Sequence, residues 1–164
     1  MPHPLYEASV PTLLMFLQAL SKLIDKAERS GVAETQILDA RLAPDMFPFP
    51  RQIQIATDLA KGAMGRLTGQ TPPSWADDEA TLAELKARIA KAIDYVGSFQ
   101  PEAFEGAEVR TIELKASGRD LRFDGANYLL RFALPNFFFH VTTAYAILRA
   151  QGVKLGKPDF FGAD

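Results

Sequence analysis

The sequence predicts a mainly α-helical protein, an antiparallel four-helix bundle with a short β-hairpin inserted before the last helix. Apolar residues recur at intervals of three and four in four separate segments, as on the buried face of an amphipathic helix. A further segment, residues 108–124, alternates between polar and apolar residues in the manner of a strand. The 164 residues are expected to form one domain, residues 1–164, around a single core.

The composition disfavours several classes of function. The net charge is −2, so we expect no basic face for nucleic acid. The chain has no cysteine, which rules out disulfides and thiolate metal sites and suits a cytoplasmic protein. The N-terminal residues lack the features of a signal peptide, and no apolar run reaches the roughly 18 residues that cross a membrane. We therefore expect a soluble protein that binds neither nucleic acid nor membrane.

The first two helices are predicted from their apolar spacing and their ends. In the first, apolar residues recur from Val10 to Ala27, with Ser9 as the N-cap and Gly31 as the stop signal. The second begins near Pro50 and ends at Gly69.

The remaining segments follow the same logic. Residues 32–49 are rich in proline yet apolar, which indicates a loop packed over the bundle. The third helix is expected to start at Asp77 or Asp78, because acidic residues favour a first turn. The fourth is expected to run over residues 125–151, with a kink at Pro135.

The predicted hairpin lies between the third and fourth helices. Residues 116–118, Ala-Ser-Gly, supply its turn. The apolar side chains on one face of the two strands are Ile112, Leu114, Leu121 and Phe123.

The last helix carries the strongest candidate site. His140 lies in an otherwise apolar run, and Asn136, one turn earlier, shares its helix face with Thr143. Polar side chains on a core-facing stripe need hydrogen-bond partners, and bundle cores are where ligand and cofactor sites are built. His140 is therefore either a core histidine satisfied by hydrogen bonds or part of an interior pocket for a small ligand. Asp45 and Gln52 could complete that pocket.

Two of these residues also have a purely structural interpretation. Asp45 can accept backbone N–H groups in a turn, and Thr143 can bond to the carbonyl one turn earlier. His140 could instead bind a divalent metal, either zinc, nickel or manganese. A catalytic zinc site takes three protein ligands, whereas one imidazole with oxygen ligands suits a harder ion or weak binding.

Two stretches, RLAPDMFPF at residues 41–49 and PNFFFHVTTAYAILRAQGVKLGKPDFFG at residues 135–162, resemble a bacterial family of unknown function, DUF1993. The likeness covers nearly the whole chain. That family is grouped with the DinB/YfiT-like four-helix bundles, whose better-known members hold a divalent metal with three histidines, and some relatives are thiol transferases. The resemblance implies that the ligand positions fall at Gln52, Asn136 and His140, of which only the last is a histidine.

Three functions are open on this evidence, and with them the question of whether the chain is an enzyme. The first is a DinB-like bundle that binds a small ligand near His140 and Asn136. The second is a metal-dependent transferase or hydrolase in which His140 binds the metal and Asp45 or Gln52 completes the shell. The third is a non-catalytic interaction protein in which the polar pair is structural.

We also expect a homodimer. The face of the last helix opposite His140 displays Phe138 and Tyr145, and a helix that is apolar almost all round needs cover on more than one side. A second subunit would supply that cover through a twofold interface, for which aromatic residues are suited. The long loop or the hairpin is the alternative cover.

Overall fold

The structure, a computed structural model, describes residues 3–163. In chain order its elements are α1 (Pro4–Glu28), α2 (Glu34–Asp39), α3 (Phe49–Thr68), α4 (Leu82–Gly97), β1 (Thr111–Ala116), β2 (Arg119–Asp124), α5 (Gly125–Tyr128), α6 (Leu134–Ala150) and α7 (Lys157–Phe160), with 3₁₀ turns at Pro101–Phe104 and Ala107–Val109. The four long helices, α1, α3, α4 and α6, form the bundle: α1 and α3 each pack against α4 and α6. Their apolar faces meet in one core. The predicted fold class, a four-helix bundle with an inserted hairpin, is confirmed.

The first helix begins earlier than the sequence predicted. α1 starts at Pro4, where a proline fits the first turn because its missing N–H would have no partner there. Ser9 is buried inside the helix, and its hydroxyl donates to the carbonyl of Leu5. The predicted N-cap at Ser9 was therefore wrong, because the serine bonds back along the helix instead of ending it. Within residues 3–163, neither α1 nor any other helix combines the length and the apolarity that crossing a membrane requires.

α3 ends where the sequence predicted and closes a tight return of the chain. Gly69 adopts a left-handed conformation with φ of 73°, the common end of a helix. Gly65 lets the returning chain approach closely, since a Cβ there would lie 2.8 Å from the carbonyl oxygen of Gln70 and from Pro72. The chain therefore folds back directly over the end of α3.

The proline-rich stretch before α3 contains a short helix that the sequence did not predict. α2 buries Ile37 against the bundle, in line with the expectation that this stretch packs over it. The loop then returns to α3, where the Phe49 N–H donates to the Ala40 carbonyl at 2.9 Å.

α4 starts at Leu82, later than the predicted start at Asp77 or Asp78. Its true cap is Thr81, whose hydroxyl accepts from the Glu84 N–H while the Glu84 carboxylate accepts from the Thr81 N–H. The acidic residues that resembled a first turn lie in the segment before the helix, where Asp77 and Glu79 bind arginines instead.

The last helical stretch is interrupted by a π-helical turn over Leu129–Ala133, between α5 and α6. The Leu134 N–H donates to the Leu129 carbonyl, five residues back. Pro135, which has no N–H, follows at the start of α6. The sequence predicted one helix over residues 125–151 with a kink at Pro135, whereas the structure places a wider, π-helical turn directly before this proline.

The hairpin has the predicted strands, but its turn is Ser117–Gly118, one residue shorter than predicted, because Ala116 pairs with Arg119. Ile112 pairs with Phe123, and Leu114 pairs with Leu121, so the apolar residues share one face. Ser117 and Gly118 both have positive φ, 51° and 74°, as a two-residue hairpin turn of the favoured hand requires.

The face of α6 opposite His140 is covered within the chain. The Phe138 ring lies 4.9 Å from that of Phe16 on α1, and the Tyr145 ring lies 6.2 Å from that of Phe160 on α7. This cover comes from α1 and α7, not from the long loop or the hairpin. The homodimer stays a prediction, and this face no longer argues for it.

Candidate functional site

The site is built on a hydrogen bond between α6 and α3. His140 is only 8% exposed, and its Nδ1 lies 2.6 Å from Oε1 of Gln52, a residue 88 positions earlier in the chain. The Gln52 amide nitrogen, Nε2, donates to the carbonyl of Phe47 at 3.0 Å. That bond turns the glutamine oxygen toward His140, and an amide oxygen can only accept. His140 therefore carries its proton on Nδ1.

This arrangement leaves Nε2 of His140 as an acceptor. A neutral imidazole protonated on Nδ1 has a lone pair on the other nitrogen. Nε2 has no protein partner within residues 3–163, whereas every fully buried side-chain nitrogen or oxygen in that range has one. The lone pair of Nε2 therefore reaches the protein surface.

The environment keeps the imidazole neutral. Burial lowers the pKa of His140 from 6.5 to about 4, and the positive charge of Arg51 adds to this effect. A general base works best with a pKa near the working pH, so at pH 7 this imidazole is a weak base. Its chemistry suits the acceptance of a hydrogen bond better than proton transfer.

Three residues that the sequence analysis missed surround the pair. The Phe139 ring packs edge-to-face on the His140 ring at 5.1 Å, and Phe139 is 54% exposed. Phe47 is 55% exposed, and the Arg51 guanidinium lies 5.7 Å from the centre of its ring. The sequence did carry a signal for them, because Phe139 adjoins His140 and Arg51 adjoins Gln52.

The other predicted site residues are placed differently. Asn136 is half-buried one turn from His140, and its amide makes no hydrogen bond within residues 3–163. The Thr143 hydroxyl donates to the Phe139 carbonyl at 2.7 Å. Asp45 is exposed and makes no hydrogen bond or ion pair to His140. The structure thus joins His140 to Gln52 directly, and it joins neither to Asn136, Thr143 or Asp45 by a hydrogen bond.

The donor set does not fit the divalent metal that the family resemblance implies. Both polar atoms of the Gln52 amide are engaged, one with His140 and the other with Phe47. Of the Gln52–His140 pair, only Nε2 of His140 is free to bind an ion, and Asn136 adds a neutral amide, which is a weak ligand for zinc. Across residues 3–163, no group of three or more histidine, cysteine, aspartate or glutamate side chains is placed to hold a metal.

Known proteins agree with the fold. The model of DUF1993, a domain of unknown function, matches residues 5–161. The crystal structure of a DinB family member protein from Shewanella denitrificans is similar, with 40% sequence identity and a TM-score of 0.86. That match covers 98% of this chain and 93% of the other. No curated protein matches the chain. The chain has the fold of a DinB family member and belongs to the DUF1993 family of unknown function.

Proposed function

We propose that the His140 site binds a small molecule, which donates a hydrogen bond to Nε2. The observation that carries this proposal is the Gln52–His140 hydrogen bond of 2.6 Å. It fixes the imidazole in one tautomer and one orientation, with its acceptor facing outward. Because the ring is already ordered, ligand binding does not incur the entropic cost of fixing it, which favours affinity.

Neither of the other two functions has comparable support. A metal-dependent transferase or hydrolase would have a single free imidazole nitrogen as its ligand from this pair, and Asp45 is exposed without contact to it. A purely structural pair would need only the Gln52–His140 hydrogen bond, since water can satisfy Nε2 at the surface, and it would give the fixed acceptor no role.

The proposal predicts that binding of small hydrogen-bond donors depends on His140. A panel of phenols, carboxylic acids, primary amides and alcohols is screened by ligand-observed NMR. At least one class is expected to bind, and His140→Phe is expected to abolish that binding, since phenylalanine fills the space without an acceptor. His3→Phe is the matched control and should bind like the parent chain.

A second variant keeps the test decisive if His140→Phe folds poorly. Gln52→Glu preserves the acceptor for Nδ1 but adds a negative charge, which favours the doubly protonated imidazolium. Nε2 then becomes a donor, so this variant should lose the same ligands. Binding that persists in both variants, or a complete absence of binding to the parent chain, would contradict the proposal.

A further inference from the structure

We infer that the ligand of this site is a small aromatic carboxylate that also carries an O–H or N–H donor, as hydroxybenzoates do. This inference rests on the proposed function and adds the chemical class. It follows from three kinds of group that the fold places around one imidazole: an outward-facing acceptor, exposed aromatic rings and an anchored cation.

The exposed aromatic rings belong to two phenylalanines. Phe47 and Phe139 each expose more than half of their surface, at 55% and 54%. Both contact the Gln52–His140 pair: the Phe47 carbonyl accepts a hydrogen bond from Gln52, and the Phe139 ring packs against the His140 ring. Exposed apolar rings beside a few placed polar groups are the usual lining of a small-molecule site, and aromatic ligands pack well on them.

The anchored cation is the guanidinium of Arg51. Its Nη1 donates to Oδ2 of Asp77 at 2.7 Å and lies 3.4 Å from Oε1 of Gln54. Nε and Nη2 have no protein partner within residues 3–163. The group is therefore held at one nitrogen, while the remaining N–H donors stay available.

The charge of Arg51 is only partly balanced by its anchor. Asp77 also forms an ion pair with Arg88, with Oδ1 3.0 Å from Nη2, so one carboxylate balances the charge of two arginines. Arg51 adjoins Gln52 on α3, and its positive charge helps to lower the pKa of His140. A guanidinium of this kind pairs with a carboxylate through charge-assisted hydrogen bonds. The ligand class that uses all the groups has an aromatic body, a carboxylate and a donor for Nε2.

The test uses the three hydroxybenzoate isomers, titrated into the full chain by calorimetry. At least one isomer is expected to bind, and Arg51→Gln should weaken it by about tenfold or more, the value of a hydrogen bond between charged groups. The matched control is Arg41→Gln, at an exposed arginine of the loop whose one side-chain hydrogen bond within residues 3–163 goes to the Met46 carbonyl. Its affinity should stay within about twofold of the parent chain.

The charge is tested from the ligand side as well. The methyl ester of the same hydroxybenzoate should bind the parent chain as weakly as the acid binds Arg51→Gln, and Arg51→Gln should bind acid and ester alike. Phe139→Ser should also weaken the acid, whereas Phe161→Ser, at an exposed phenylalanine of the C-terminal segment, should not.

The outcomes separate this inference from the proposed function. Hydroxybenzoate binding that needs His140 but not Arg51 would contradict the inferred aromatic carboxylate and leave the hydrogen-bonding site intact. The inference of an aromatic carboxylate is contradicted in the same way if no hydroxybenzoate isomer binds while other small hydrogen-bond donors do. Hydroxybenzoate binding that survives in His140→Phe would overturn both.

Discussion

Replacing Arg88 with methionine is expected to lower the free energy of unfolding by about 3–5 kcal/mol, the range for removing one partner of a buried ion pair. The Arg88 side chain is only 2% exposed. Methionine matches the aliphatic part of the arginine, so the loss reports the guanidinium and its contacts. Urea unfolding, followed by circular dichroism, measures it.

The expected loss of stability is large because every nitrogen of the Arg88 guanidinium contacts a polar group. The guanidinium makes four hydrogen bonds and one further ion pair, which together engage all three of its nitrogens. These contacts are Nε to Thr57 Oγ1 (2.8 Å), Nη1 to the Ala76 carbonyl (2.7 Å) and to Glu79 (2.9 Å), and Nη2 to Asp58 (3.0 Å) and to Asp77 (3.0 Å). Burial tends to lower the pKa of Arg88, but the Glu79 hydrogen bond and the three carboxylates raise it above its ordinary value.

Without the arginine, the carboxylates of the segment before α4 lose the charge that holds them to the bundle. Glu79 is the most affected, because its side chain is largely buried. Lys91→Met, on the exposed side of α4, is the matched control and should cost about 1 kcal/mol or less, the value of its contact with the Trp75 ring. Equal losses in the two variants would contradict a structural role for the Arg88 network.

The double variant Gln52→His/Asn136→His is expected to gain a divalent metal site. Position 52 on α3 already faces His140, and position 136 lies one turn before it on α6. Together with His140, the variant would present three imidazoles, the ligand count of many zinc sites. Its affinity for nickel or zinc, measured by calorimetry, should exceed that of the parent chain by at least about two orders of magnitude.

The control for this gain is Gln52→His/Thr142→His, which adds the same number of histidines but places one on the exposed side of α6. It should bind metal much more weakly than the first variant. Equal affinities, or no gain in either variant, would show that the donor set is not what separates this chain from a three-histidine metal site.

The bundle was predictable because its helices bury regular apolar stripes. α1, α3, α4 and α6 all follow from that spacing. The errors in the predicted helix ends occurred where one type of side chain can have either of two structural roles. Ser9 resembled a cap but bonds back within α1, and the acids at 77–79 resembled a first turn but lie outside the helix, where two of them bind Arg88. Arg88 itself lies three residues after Leu85 and four before Ala92, which places it on the buried face of α4.

The candidate site was predictable only in part. The apolar surroundings of His140 indicated burial, but helical spacing cannot name a partner 88 residues away. Gln52 was one of several candidates, and only the family resemblance placed it at a position matching His140. The exposed rings of Phe47 and Phe139, with the anchored Arg51, depend on how α3 meets α6. Phe139 and Arg51 adjoin His140 and Gln52 in the sequence, but no local pattern encodes how the two helices meet.

Nitrogen-15 NMR of the His140 imidazole tests the central claim most directly. His3→Ala removes the only other histidine, so the remaining ring signals belong to His140. Held by Gln52, the ring should be protonated on Nδ1 and unprotonated on Nε2 at neutral pH, and it should gain its second proton with a pKa of about 4. A ring protonated on Nε2, or one that titrates near its ordinary value of 6.5, would contradict the account.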